Sequence, residues 1–339
     1  MNPALRNTAL GLTLVSVQAL CSCRHTESGG GKAVPAPTRE AQHASPVGPR
    51  PADAELTKSL LEPLKGIFIR TALEKNIGER MRYYLPNAIS MPEYQPTLEG
   101  ADAIRKYYEA IFDRQNVTRF ERQIQEVFEL EDTIVELGSF QLEYTDAKGG
   151  EAWLREGKYW NVWARQPDRS LKIKAETWGY FQPVKAPAAL VVEIPPAAAR
   201  LSSPKLDAQG ENLRFELHAL NALMREAVLN RDASLRLGFF APDAVFMPHA
   251  DSNKSGIEQI QKHLIEYNAG NVVIDAARIE TFEFERAGEY TLEYPRFHVK
   301  WHVPELSGVS AGKGIRLWKR QPGGTLKIFR EIATHDFLG

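Results

Sequence analysis

Two matched places in this 339-residue chain put a titratable side chain directly after a proline: Pro92-Glu93 and Pro248-His249. Asp251 stands two residues beyond His249, so in an extended segment both side chains face the same way. An imidazole oriented by a carboxylate can act as a general base or a ligand contact. His249 with Asp251, and Glu93 at the first place, are therefore the catalytic candidates. The competing reading is of polar residues on an exposed loop. Other groups fit chemistry less well. His298 and His302 belong to one predicted strand, share a face and stand about 13 Å apart, too far to ligate one metal. His335 and Asp336 are strand neighbours and point to opposite faces. Glu176, Glu331 and Arg330, in the last strand of each half, are expected to point outward. Gly308 to Gly314 includes Gly312-Lys313 but lacks the spacing and the Ser or Thr of a phosphate loop, so it reads as a hairpin turn. No His-Glu-x-x-His occurs, and neither a metal nor a cofactor is expected.

The cysteines are two, Cys21 and Cys23, so no disulfide or thiolate metal site can form beyond them. Basic and acidic residues number 42 and 43, which leaves no electrostatic footprint for nucleic acid. Arg6 precedes an apolar run from Ala9 to Leu20, long enough for an export signal and too short to span a bilayer. Leu20-Cys21-Ser22-Cys23 resembles a bacterial lipobox, with a branched apolar residue three before Cys23 and a small one just before it. The resemblance implies cleavage after residue 22, lipidation of Cys23 and an address in the cell envelope. Arg24 in place of Asp points to an outer membrane where one exists. Residues 23–53, with Gly29-Gly30-Gly31 and repeated Pro, Ala and Ser, read as a flexible tether.

What must position the candidate groups is a duplicated domain. Tyr84-Leu85-Pro86-Asn87-Ala88-Ile89-Ser90-Met91-Pro92 recurs as Phe240-Ala241-Pro242-Asp243-Ala244-Val245-Phe246-Met247-Pro248, at an offset of 156. Gly100 and Ile104 keep that offset to Gly256 and Ile260. Gly157-Lys158, Trp163 and Leu171-Lys172-Ile173 match Gly312-Lys313, Trp318 and Leu326-Lys327-Ile328 at an offset of 155. Several blocks at nearly one offset mark a tandem repeat. Each copy, 54–183 and 211–339, reads as two helices, a short strand, a third helix and four long strands rich in β-branched and aromatic residues. In the first copy the strands fall near 87–91, 118–129, 132–145, 151–166 and 170–182. Period two places Trp153, Tyr159 and Trp163 on one face of a strand and Trp160 on the other. Residues 184–210, rich in Pro and Ala, read as a linker. Within it, Leu190-Val191-Val192-Glu193-Ile194 would add an edge strand or cover one.

This element order, carried by Tyr84–Pro92, Phe240–Pro248 and the closing Gly-Lys, Trp and Leu-Lys-Ile blocks, resembles the nuclear transport factor 2-like superfamily, which includes SnoaL-like and ketosteroid-isomerase-like domains. The resemblance implies an α+β fold: two cone-shaped domains, each with three helices packed in a curved antiparallel sheet around a ligand cavity. In ketosteroid-isomerase-like members a general-base Asp precedes the proline that closes the first strand. Met91 and Met247 hold that place here, and a thioether accepts no proton at neutral pH. Met91, Met247, Tyr84, Phe240 and Trp178 are the candidate ligand contacts. Three functions remain open. The chain binds a small hydrophobic molecule or an envelope protein without catalysis; or it is a cyclase, isomerase or hydratase using His249 or Glu93; or it is a structural pseudo-dimer paired within one chain.

Overall fold

The computed structural model describes residues 51–195 and 206–338, with side chains from 54 onward. The first copy runs α1 (Pro51–Leu73), α2 (Ile77–Arg80), β1 (Tyr84–Pro92), β2 (Leu98–Glu99), α3 (Ala101–Arg114), β3 (Gln115–Leu130), β4 (Thr133–Asp146), β5 (Trp153–Arg165) and β6 (Leu171–Tyr180). The second repeats it as α4 (Ala208–Leu229), α5 (Ala233–Leu237), β7 (Phe240–Met247), β8 (Lys254–Ser255), α6 (Ile257–Tyr267), β9 (Val273–Ala287), β10 (Tyr290–Val303), β11 (Leu306–Arg320) and β12 (Leu326–His335).

Local chemistry explains the shared order. Asn76 and Asp232, 156 residues apart, cap α2 and α5 by accepting the amides of Glu79 and Leu235 at 3.1 and 2.8 Å. Gly100 and Gly256 take φ of 90° and 78° and donate their amides to Ala88 O and Ala244 O, both at 2.8 Å. That left-handed turn, open to glycine, launches α3 and α6 back across the first strand.

The strand orders are β2-β1-β6-β5-β4-β3 and β8-β7-β12-β11-β10-β9. The fold expectation is met with one refinement. Each sheet is mixed, because β1 and β7 run parallel to β6 and β12 while the other pairings are antiparallel. Register shifts at Val162/Trp163 and Leu317/Trp318 place equivalent bulges in the two sheets, and a bulge bends its strand. Gly308–Gly314 is not a turn. It lies inside β11, and β10 turns into β11 after Val303. Gly312 is required because a Cβ there would lie 2.3 Å from the Phe297 ring and 2.2 Å from Thr334 O.

The inner face of the first sheet packs on α1 and α3 through Leu61, Phe68, Ile104, Trp163 and Ile173. Leu217, Met224, Ile260, Leu264 and Trp318 do the same in the second copy. The outer faces share a third cluster, in which Met91, Leu137, Trp160 and Val162 meet Met247, Leu292, Tyr294 and Leu317. The period-two reading of β5 therefore holds: Tyr159 and Trp163 face inward and Trp160 outward. Residues 190–194 add no edge strand. A 3-10 turn over Pro187–Leu190 and the residues after it cover the first domain, with Leu190 and Val192 buried. Gln95 clamps Val192 there, accepting its N–H at 2.7 Å and donating to its carbonyl at 3.0 Å.

Candidate functional site

The first domain encloses a cavity of about 120 Å³ between α3 and the inner sheet face. Aromatic rings form much of its wall, among them Tyr107, Tyr108, Phe112, Phe140, Trp178 and Tyr180. Leu190 closes one side. Tyr108 and Trp178 lie nearly parallel with centroids 6.2 Å apart, a spacing set by one turn of α3 over β6.

Polar groups converge at two points. Glu176 of β6 accepts three hydroxyl hydrogen bonds: Tyr84 at 2.8 Å, Ser90 at 2.8 Å and Tyr108 at 3.0 Å. Arg80 donates to Tyr108 Oη at 3.1 Å and to Phe68 O at 3.2 Å, with its guanidinium over the Phe68 and Tyr108 rings. Burial alone would lower the Arg80 pKa. The neighbouring Tyr108, Tyr84 and Glu176 outweigh it and hold the cation firmly charged. Burial, then the Glu176 charge, pushes Tyr84 well above its ordinary value. The second point is Glu136, which accepts Tyr159 Oη at 2.7 Å, Trp163 Nε1 at 2.7 Å and Asn161 Nδ2 at 3.1 Å, with Arg122 3.6 Å away. Each buried charge thus has partners, as burial in a low dielectric demands.

The second copy keeps the frame and changes the groups at the matched places. Trp318 Nε1 donates to Glu293 at 2.8 Å, as Trp163 does to Glu136. Arg316 replaces Asn161. Its guanidinium bonds Glu331 at 2.5 Å, Asn221 Oδ1 at 3.0 Å and Met224 Sδ at 3.1 Å, and lies 3.5 Å from Glu293. The hydroxyl ring is also gone: Tyr84, Ser90 and Tyr108 become Phe240, Phe246 and Leu264. Phe240 packs in the apolar core there.

Several expectations need correction. Glu176 and Glu331 do not point outward, whereas Arg330 does face outward, buried at the interface with the other domain. The two glutamates turn inward to satisfy hydroxyls and Arg316, and Arg330 pairs with Glu126 of the other domain at 2.6 Å. Met91 and Met247 do not face a cavity. They lie in the cluster between the sheets, and in β1 the inward neighbour is Ser90, bonded to Glu176. Trp178 does line the cavity, and Tyr84 braces it through Glu176.

The proline-linked pair forms a contact of its own between the domains. Glu93 is 1% exposed, not on an open loop. It lies 2.7 Å from His249 Nδ1 and accepts the His335 amide at 2.7 Å. The partner of His249 is thus Glu93 and not Asp251, which instead pairs with Lys254 at 3.0 Å and His263 at 3.3 Å. His249 stacks on His335 with centroids 4.1 Å apart. Lys158, fully buried, donates to the carbonyls of Pro248 and Asp251, and burial lowers its pKa to about 8. Neither Glu93 nor His249 lines the cavity of the first domain. Among the described residues no three His, Cys, Asp or Glu side chains gather in a metal-holding group. No helix there is long and apolar enough to cross a membrane. Cys23 lies outside the described residues.

Sequence reasoning missed Arg80, Arg122 and Asn161. For Asn161 the signal is the divergence between copies, with hydroxyls and Asn161 in one and apolar side chains and Arg316 at the matched places in the other; Arg80 carries no such signal, because Arg236 stands at its offset of 156.

No family model matches the chain, and no match is found among curated proteins. Solved structures similar to parts of it include a ketosteroid isomerase-like protein from Erwinia carotovora atroseptica SCRI1043, 12% identical, covering 36% of this chain and 95% of that one, with a TM-score of 0.33. ActVI-ORFA from Streptomyces coelicolor is 13% identical over 38% of this chain and 99% of its own, with a TM-score of 0.34. A nuclear transport factor 2-like superfamily protein from Salmonella enterica serovar Typhimurium is 12% identical over 37% and 92%, with a TM-score of 0.33. By its own element and strand order, each half of the chain has the helix-filled, curved-sheet architecture that the resemblance to the nuclear transport factor 2-like superfamily implies.

Proposed function

We propose that this chain is an exported, lipid-anchored binding protein whose first domain holds a small, mainly apolar ligand and whose second domain is its structural partner. The observation that carries the ligand reading is the asymmetry of the copies. An aromatic cavity is open in the first, and in the second a buried, ion-paired Arg316 stands at the place of the cavity-lining Asn161. Apolar walls with a few convergent polar groups are the usual make-up of a small-molecule site. The residues between β6 and α4 support it further, since Leu190 adds a lid anchored by Gln95. The shared cluster between the outer sheet faces supports an intramolecular pseudo-dimer. Export and acylation at Cys23 rest on the sequence between Ala9 and Cys23; two acyl chains are enough for stable membrane attachment.

Asn161→Arg tests the ligand reading by installing the second copy's arginine beside Glu136 and Glu176. Native mass spectrometry of protein purified from its own host is expected to find a small ligand on the wild type and none on the folded variant. Retention of the same ligand by the variant would place the site elsewhere. For the anchor, Cys23→Ser should abolish incorporation of an alkyne-tagged fatty acid; continued labelling would refute it.

A further inference from the structure

The cavity's charges do not cancel. Three guanidinium groups border it, those of Arg80, Arg122 and Arg155. Glu136 lies 3.6 Å from Arg122 and compensates it. Glu176 faces Arg80 through the shared Tyr108 hydroxyl. Arg155 lies over the rings of Tyr144 and Tyr180, at 4.6 and 5.4 Å, and makes no ion pair among the described residues. Three cations against two carboxylates leave one positive charge.

A second observation points the same way. Arg80 is 6% exposed, lines the cavity, and its Nε has no hydrogen-bond partner. A buried charged donor without a partner is costly, and the positive charge it carries at the cavity wall favours an anionic guest.

Size narrows the choice. An apolar protein cavity of about 150 Å³ holds benzene, so a space of about 120 Å³ suits one ring and no fused system. The aromatic side chains along the wall favour a flat guest packed against them. A guanidinium bonds a carboxylate in a planar, two-pronged way.

We propose that the first domain's cavity selects a single-ring aromatic monoanion of the carboxylate class, packed against aromatic side chains with its charge on the arginine side. The inference rests on the reading of this cavity as a ligand site and adds the sign of the ligand's charge.

Calorimetric titration of the whole chain with benzoate, benzyl alcohol and benzylammonium tests it. Benzoate should bind at least tenfold more tightly than benzyl alcohol, and benzylammonium more weakly than either. Arg155→Gln, a change at a partly exposed residue, should bring benzoate down to the alcohol's affinity for the same variant. Equal binding of benzoate and benzyl alcohol would overturn the charge inference and leave the ligand site standing. Absence of binding by all three would overturn both. A benzoate preference that survived Arg155→Gln, or benzoate binding that survived Asn161→Arg, would overturn the assignment of the charge to this cavity.

Discussion

Glu176 shows how much one side chain organises. It receives two hydroxyls from β1 and one from α3, and its charge offsets Arg80. Glu176→Ala would strand three buried hydroxyls and leave Arg80 uncompensated. Breaking a buried charge pair costs about 3–5 kcal/mol, and the urea midpoint should fall accordingly; an unchanged midpoint would mean that the hydroxyl ring is dispensable. His335 carries a second prediction. Burial, and then the charges on His249 and Lys313, hold its pKa down to about 3 in the folded chain, against about 6.5 ordinarily. Above about pH 6.5 the imidazole is neutral in both states and costs nothing. Below it the unfolded chain takes a proton that the folded chain refuses, so stability falls as pH drops toward 3, by up to about 1.4 kcal/mol per unit. His263 shifts in the same direction through burial, so the informative comparison is between variants. His335→Tyr, copying Tyr180 at the matched place, should flatten the stability curve between about pH 6.5 and 4.5, measured by denaturant titration. Parallel curves for the two proteins would refute the assignment.

In the strands, glycine makes room for aromatic rings. A Cβ on Gly157 would stand 2.2 Å from Gly179 O and 2.5 Å from the Phe140 ring, and Gly312 faces Thr334 O and Phe297 in the same way. The carbonyl belongs to the neighbouring strand and cannot rotate aside. Overpacking of this kind costs about 1–3 kcal/mol, so Gly157→Ala should lower the melting temperature by several degrees. The same change at Gly323, where nothing lies within 4 Å, serves as the control. Similar melting temperatures for the two variants would contradict the close approach.

For the molecule as a whole, the governing fact is the cluster joining the two outer sheet faces. Fully burying one large apolar side chain is worth about 1.5–3 kcal/mol, and the cluster holds sixteen buried residues, from Met91 to Ile332. The ion pairs around it, Glu126–Arg330 at 2.6 Å and Glu99–Arg296 at 2.9 Å, add orientation more than energy. Residues 51–195 and 206–338 produced as separate chains should therefore associate with each other or with themselves, as seen by sedimentation. Monomeric behaviour of the mixture would show that the linker, not the cluster, keeps the halves together.

The sequence by itself determined the duplication, the element order and which residues of a strand share a face. Those follow from local spacing: period two in strands, glycine at forced turns, and repeated blocks at one offset. It also showed which residues could titrate. It did not reveal where those residues would meet. Glu93 finds His249 across 156 residues, and Glu176 turns inward because three hydroxyls from two elements wait there. Whether Met91 looks into a cone or into the neighbouring sheet depends on the register of β1 against β6 and on the second copy covering its outer face. The open cavity in one copy and the buried Arg316 in the other were likewise settled by tertiary contacts, because Arg316 is held inside its domain only where Glu293, Glu331 and Asn221 converge to receive its charge.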